Sequence, residues 1–246
     1  MSVPNAAIPG SPGQAPARDV GVVIVAGGSG TRADPGDGEL KQFRWVAGKP
    51  MLLHSVQTFM ARADVVSVVC VLPRRYAGDP PPWLFQCDVD RLAMSVGGRT
   101  RSESVSNGLD DLPDEAQIVL VHDAARPLVG ADTIDRVVAS VREGTSAIAA
   151  LPVVDTLKEV DDDGLVVRTV DRERLWRAQT PQGFPRGVIV DVHRRARADR
   201  LAATDDAALC ERYGIPVRVV RGSERALKVT EIGDFTRIDV LFTTPE

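Results

Sequence analysis

The sequence predicts an α/β fold, a mostly parallel twisted sheet with helices on both faces and a protruding β-hairpin arm. Three observations carry that expectation. Short, nearly continuous apolar runs such as Val65 to Leu72 and Ile118 to Val121 read as strands buried on both faces. Segments with apolar residues at helical spacing lie between them, the alternation expected of a parallel sheet. Several of the runs end in glycines or charged residues, as where open α/β sheets bind ligands at the carboxyl ends of their strands.

The chain has 246 residues, enough for one α/β domain with a sizeable core. Residues 1–18 form the expected disordered tail, rich in proline and lacking the apolar stretch of a signal peptide. Residues 19–246 form the single domain. A formal net charge of −4 argues against a nucleic-acid partner, so any phosphate site is a local basic cluster on an acidic body. No apolar run approaches the roughly 18 residues that span a membrane. Cys70, Cys87 and Cys210 form no C-x-x-C pair, which argues against zinc and suits a reducing cytoplasm.

In order, the first strand is Gly21 to Ala26. It runs into the turn Ala26-Gly27-Gly28-Ser29-Gly30-Thr31-Arg32 and a long polar loop ending at Leu40-Lys41-Gln42. Glycines let backbone N–H groups approach a phosphate closely, and Arg32 and Lys41 add positive charge. A helix follows, with Pro50 near its first turn and Leu52, Leu53, Val56, Phe59 and Met60 on one face. After the strand Val65 to Leu72, Gly78 to Pro82 is a Pro-rich excursion with no assignable chemistry. The strand Leu92 to Val96 leads through Gly97-Gly98 into a helix ending near Asp111. The strand Ile118 to Val121 leads into His122-Asp123-Ala124-Ala125-Arg126. Asp123 could ligate a metal or a hydroxyl and Arg126 could hold a phosphate; a surface salt bridge would account for the pair equally. The helix after Gly130 packs through Ile134, Val137, Val138 and Val141 before the strand Ala147 to Leu151.

The pattern then changes. Residues 154–171 read as a hairpin with Asp163-Gly164 at its bend, expected to pack as an arm against a second subunit because a lone hairpin is marginally stable; an edge flap on the same domain is the alternative. The polar segment from Val170 to Phe184 is too specific to be only a connector. A helix covers Pro185 to Ala198, and Thr204 is the expected N-cap of the next, closed by Gly214. Val217 to Val220 and Leu227 to Val229 are the expected late strands, and Thr230 the expected cap of a last helix. Lys228 inside an apolar strand is unusual, because burying its charge without a partner is costly. An edge position or a phosphate partner would each account for it.

The glycine turn admits other readings. Gly28-Ser29-Gly30-Thr31-Arg32-Ala33 fits G-x-G-x-x-A, but the dinucleotide fold wants an acidic residue about twenty positions on, and none stands there. The Walker loop fails because no Gly-Lys-Ser/Thr follows.

Taken together, the segments Ala-Gly-Gly-Ser-Gly-Thr-Arg…Lys-Gln-Phe, Gly-Gly-Arg-Thr-Arg-Ser-Glu-Ser-Val, Val-His-Asp-Ala-Ala-Arg-Pro, Thr-Val-Asp-Arg…Leu-Trp…Gln-Thr-Pro-Gln, Thr-Asp-Asp-Ala and Leu-Lys-Val-Thr, in that order, resemble the 2-C-methyl-D-erythritol 4-phosphate cytidylyltransferases. The resemblance covers everything after the tail. It implies a nucleotidyltransferase-type, Rossmann-like sheet whose β-arm clasps a second copy in a homodimer. It also implies transfer of CMP from CTP to a polyol phosphate with Mg2+, releasing pyrophosphate. On that resemblance Arg32 and Lys41 stabilise the transition state, and Ala26, Gly27, Gly28 and Gly30 surround the triphosphate. Gly98 and Ser104 read the cytosine. Asp123, Arg126, Arg172, Thr204 and Lys228 surround the polyol phosphate, and Asp123 is the candidate metal ligand. Two positions depart from the family pattern: Leu40 where proline is usual, and Gly27 where alanine is usual. Ribitol 5-phosphate is the rival substrate, and a nucleotide-binding regulator without catalysis the rival function.

Overall fold

The computed structural model describes residues 17–28 and 39–244. Residues 1–16 of the expected tail, together with Gly30, Arg32 and the loop from 33 to 38, lie outside the described residues. Arg18 belongs to the folded part, since its Nε donates to the Val65 carbonyl at 3.3 Å.

The first half of the chain contains β1 (Val20–Val25), β2 (Trp45–Val46), β3 (Lys49–Pro50), α1 (Met51–Met60), β4 (Val65–Leu72), α2 (Arg74–Ala77), β5 (Leu92–Val96), α3 (Arg101–Asp110) and β6 (Ile118–Asp123). The second contains α4 (Ala131–Arg142), β7 (Ser146–Pro152), β8 (Leu157–Val160), β9 (Val166–Val170), β10 (Trp176–Pro185), α5 (Arg186–Ala198), α6 (Asp206–Arg212), β11 (Val217–Arg221) and α7 (Ile232–Thr243).

Seven strands form one sheet in the order β11-β7-β10-β6-β1-β4-β5. β1 is central and runs parallel to both β4 and β6, and β5 extends the parallel set beyond β4. Because side chains alternate across a strand, β1 feeds two cores. Val22 and Ile24 face Leu52, Val56 and Phe59 of α1 and Ile134 and Val137 of α4. Val23 faces Val105 and Leu109 of α3 and Ile189 and Val192 of α5. Helices thus cover both faces, as the apolar runs require.

The polar segment before Pro185 is where the structure departs most from expectation. It forms β10, antiparallel to both β6 and β7 in the middle of the sheet. Its pairing with β7 breaks register between Ala178 and Gln182. That irregular stretch hides the alternation by which a strand is recognised. Leu227–Val229 carries no sheet pairing; it is an extended strap held by the Val229 N–H donating to the Ala125 carbonyl at 2.8 Å. Two helix caps also differ. Asp205, not Thr204, caps α6 through a bond from the Ala208 N–H at 2.9 Å. Glu231, not Thr230, caps α7 in a reciprocal box with Asp234. In each case the residue one place along carries a carboxylate able to reach the free N–H groups, which a shorter hydroxyl beside it does not displace.

β8 and β9 pair only with each other, as the expected hairpin does. They leave Val160, Val166 and Val167 more than half exposed, with Leu165 in the bend and Val154 at the base likewise.

Candidate active site

The carboxyl ends of β1, β5 and β6 converge on a cavity of about 490 Å³, within the roughly 300–1,000 Å³ typical of small-molecule sites. Eight of the residues assigned from sequence line it: Ala26, Gly27, Gly28, Lys41, Gly98, Ser104, Asp123 and Lys228. A smaller cavity of about 250 Å³ lies beside it, lined by Arg126 and Thr204 among others. The two share Arg101, Asp123 and Lys228.

One wall of the first cavity is made of small residues, Ala26, Gly27, Gly28, Gly98, Ala124 and Ala125. Gly27 leaves β1 and crosses Gly97, which leaves β5; a Cβ on Gly97 would stand 3.2 Å from the Gly27 Cα and 3.1 Å from the Leu72 carbonyl oxygen. Glycine at both crossings lets the turns touch. The Gly98 N–H donates to Ser104 Oγ at 3.0 Å, and that hydroxyl donates onward to the Thr100 carbonyl at 2.9 Å. Thr100 caps α3 by accepting from the Glu103 N–H at 3.1 Å.

Lys41 opens a short 3-10 turn, Lys41–Phe43. Leu40 before it holds φ at −68°, the angle a proline would impose, and is itself buried. Phe43 is clamped edge-on by Tyr76 and Trp83, with ring centroids 4.7 and 5.7 Å away. Trp83 follows the Pro-rich excursion, so that segment backs the lysine turn. Buried Gln42 ties the turn to the glycine segment, its Nε2 donating to the carbonyls of Ala26 at 2.6 Å and Gly28 at 3.3 Å. Lys41 Nζ donates to the Val229 carbonyl at 3.1 Å, beside Lys228.

The second cavity is built from side chains. Asp123 does not pair with Arg126. It accepts from Lys228 Nζ at 2.7 Å and lies 3.6 Å from Arg101 Nε. Burial opposes its charge, but Lys228 and Arg101 override that and hold its carboxyl down at about 2. Lys228 is therefore the partly exposed half of an ion pair rather than a buried strand lysine. Arg101 also bonds Asp206 at 2.7 Å, a carboxylate only 1% exposed that accepts from His193 at 2.9 Å on its other oxygen. Arg126 donates to the Ala226 carbonyl at 2.7 Å, while its buried Nε has no hydrogen-bond partner among the described residues.

His122 is fully buried next to Asp123. Its Nε2 lies 3.1 Å from the Arg126 carbonyl, which can only accept, so Nε2 carries the proton. The Thr180 hydroxyl then donates to Nδ1 at 3.0 Å, and its oxygen accepts the Asp123 N–H at 3.1 Å. Burial pushes the His122 ring down to about 4, so it is neutral near pH 7.

Arg172 is not brought to these cavities. It lies exposed between β9 and β10, with Nη1 donating to the Val154 carbonyl at the base of the arm. Sequence reasoning also missed Arg101, Gln42, Gln179, Thr180 and Gln182 as individual site residues. All stand inside motifs noted above, but their partners are 14 to 105 residues away in the chain.

A model of the 2-C-methyl-D-erythritol 4-phosphate cytidylyltransferase family matches residues 20–244. The chain belongs to this family. A cytidylyltransferase of that description from Streptomyces coelicolor is 44% identical over 228 residues, covering 89% of this chain and 82% of the relative. A bifunctional IspD/IspF enzyme from Gluconobacter oxydans is 38% identical over 89% of this chain, which spans 56% of that longer protein. The crystal structure of 2-C-methyl-D-erythritol 4-phosphate cytidylyltransferase from Thermus thermophilus superposes with a TM-score of 0.75 at 31% identity, covering 92% of this chain and all of that one. The nucleotidyltransferase fold expected from sequence is borne out, with β10 as its antiparallel exception. No helix among the described residues is long and apolar enough to cross a membrane.

Proposed function

We propose that this cytidylyltransferase transfers CMP from CTP to the phosphate of 2-C-methyl-D-erythritol 4-phosphate and releases pyrophosphate, in non-mevalonate isoprenoid precursor synthesis. The observation that best supports the reading is the meeting of two cavities at Arg101, Asp123 and Lys228. One combines glycine turns with Lys41, as suits a triphosphate, and the other is lined by side chains suited to a smaller anion.

A phosphate oxygen of the polyol phosphate attacks the α-phosphorus of CTP. The new O–P bond forms as the bond to the β-phosphate oxygen breaks, and pyrophosphate leaves with that electron pair. The attacking phosphate is already ionised, so no general base is required. Positioning and electrostatic stabilisation carry such a reaction. Arg32 and Lys41 neutralise the charge growing on the equatorial oxygens, with Lys41 exchanging the Val229 carbonyl for phosphate. Ala26, Gly27, Gly28 and Gly30 surround the triphosphate, while Gly98 and Ser104 read the cytosine. Lys228 and Arg126 draw the second anion in, with Asp123 and Thr204 beside its hydroxyls. The unpartnered Arg126 Nε favours an anion there.

Magnesium keeps several waters and needs only one or two carboxylates besides phosphate oxygens. Among the described residues Asp123 is the one carboxylate lining the larger cavity, and no group of three metal-ligating side chains exists. That donor set fits an ion carried on the triphosphate, where it would neutralise phosphate charge. Asp123 is the residue that would touch it.

The arm supports a homodimer. A two-stranded sheet with exposed valines and Leu165 at its tip gains stability by packing against another surface. In that assembly Arg172, held at the arm's base, reaches the phosphate subsite of the partner copy. Three unpaired cysteines suit a reducing cytoplasm.

Pyrophosphate release measured with CTP and either polyol phosphate tests the reading. Turnover with methylerythritol phosphate should exceed that with ribitol 5-phosphate by about a hundredfold or more, because unmatched hydroxyls in a polar site are heavily penalised. Preference for ribitol 5-phosphate, or CTP binding without pyrophosphate release from either, would overturn it.

A further inference from the structure

The Gln-Thr-Pro-Gln segment does more than complete β10. Gln182 is 1% exposed, and a buried amide is costly unless its polar atoms are used. Both are used. Its Oε1 accepts the N–H groups of Asp206 and Ala207, each at 3.1 Å. Its Nε2 donates to Asp205 Oδ2 at 2.7 Å, and the other Asp205 oxygen accepts the Ala208 N–H at 2.9 Å. The first N–H groups of a helix have no partner within it. Here a central strand reaches across to satisfy two of them and to orient the residue that caps a third. The first turn of α6 is pinned to the sheet from outside, and Thr204, directly before Asp205, lines the smaller cavity together with Gln182.

We propose that Gln182 is a positioning residue for the second substrate: through Asp205 it fixes where Thr204 meets the polyol phosphate, without touching the transferring phosphorus. This rests on the cytidylyl-transfer reading above. The residue type follows from the bonds. Only an amide offers an acceptor toward α6 and a donor toward Asp205 on one planar group. A glutamate has nearly the same shape but no donor, and would set two carboxylates against each other. Arg101 and His193 both bond Asp206 rather than Asp205; Arg101 feels the Asp205 charge through space but makes no bond to it, so the two carboxylates would still meet with no donor between them.

The test is a compensating exchange. Gln182→Glu should raise KM for methylerythritol phosphate by about tenfold or more, the scale of one lost buried hydrogen bond with a charge left facing it. KM for CTP should stay within about twofold, because the nucleotide cavity shares no bond with Gln182. Adding Asp205→Asn restores a donor opposite the new carboxylate, and asparagine caps helices as well as aspartate does. The double variant should return KM for the polyol phosphate to within about threefold of the unsubstituted enzyme. Equal rises in both KM values for Gln182→Glu, or a double variant no better than the single, would overturn the assignment. If Gln182→Glu alone does not fold, the double variant decides by itself: near-normal KM supports the role, and a tenfold rise defeats it. Absence of turnover in the unsubstituted enzyme would instead strike the functional reading, so the two failures are distinct.

Discussion

The two halves of the cleft are built from different materials. The nucleotide side is made of consecutive residues: the turn after β1 and the turn after β5, with Gly97 against Gly27 and Gly98 bonded to Ser104. Its glycines are placed by local turn geometry, and Lys41 joins them from a turn whose side chain is held by the Val229 carbonyl. The other side is made of side chains from segments far apart in sequence. Lys228 meets Asp123 across 105 residues, Arg101 meets Asp206 across 105, and Arg126 meets Ala226 across 100. One side depends on glycines that let two turns touch, and the other on charges held against one another. Substitutions should therefore separate the two sides kinetically.

The largest effect is expected where the sides join. Lys41→Ala should lower kcat by about 10²–10³, the cost of removing one transition-state donor, with little change in either KM. Stopped assays of pyrophosphate release would check it, and a change confined to KM would place Lys41 in binding instead. The next effect probes the backbone side alone. A Cβ at residue 97 presses on Gly27 and on the Leu72 carbonyl, so Gly97→Ala should raise KM for CTP by roughly tenfold, the kinetic equivalent of modest overpacking. KM for the polyol phosphate should be nearly unchanged.

The smallest effect concerns pH and stability on the side-chain half. His122 is held near 4, below the 6.5 of an exposed histidine, so the unfolded chain binds the proton first as pH falls. Stability from this group is fully present above about pH 6.5 and is lost as pH drops toward 4. Between pH 7 and 5 the loss is about 2 kcal/mol. Urea unfolding at the two pH values should show this loss in the unsubstituted protein, and His122→Gln should shrink it. Asp123, held at about 2, acts in a lower window: its contribution is present above about pH 4 and fades only below that.

The same contrast explains what sequence could tell. The glycine turns, the apolar strands and the hairpin are local patterns, and the expected boundaries match to within one or two residues for β1, β4, β5 and α5. β10 was not legible as a strand because Gln179, Thr180 and Gln182 face inward as polar residues, each satisfied by a partner outside its own segment. Gln179 alone exchanges two bonds with Ser223, at 2.9 and 3.1 Å. Arg101 lies in the Gly-Gly-Arg-Thr-Arg-Ser segment, yet its use depends on Asp206, and only the fold brings the two together. Arg172 was assigned to the phosphate by resemblance. Its place at the base of the arm would accord with that role only in the proposed homodimer, across the subunit boundary.

Lys228→Ala, with each substrate varied in turn, tests most directly whether two phosphorylated reactants meet over the shared Arg101–Asp123–Lys228 cluster. KM for methylerythritol phosphate should rise by about a hundredfold, as expected for a lost charge-assisted contact, while KM for CTP should move by less than about threefold. Equal rises for both substrates, or no rise for either, would contradict it.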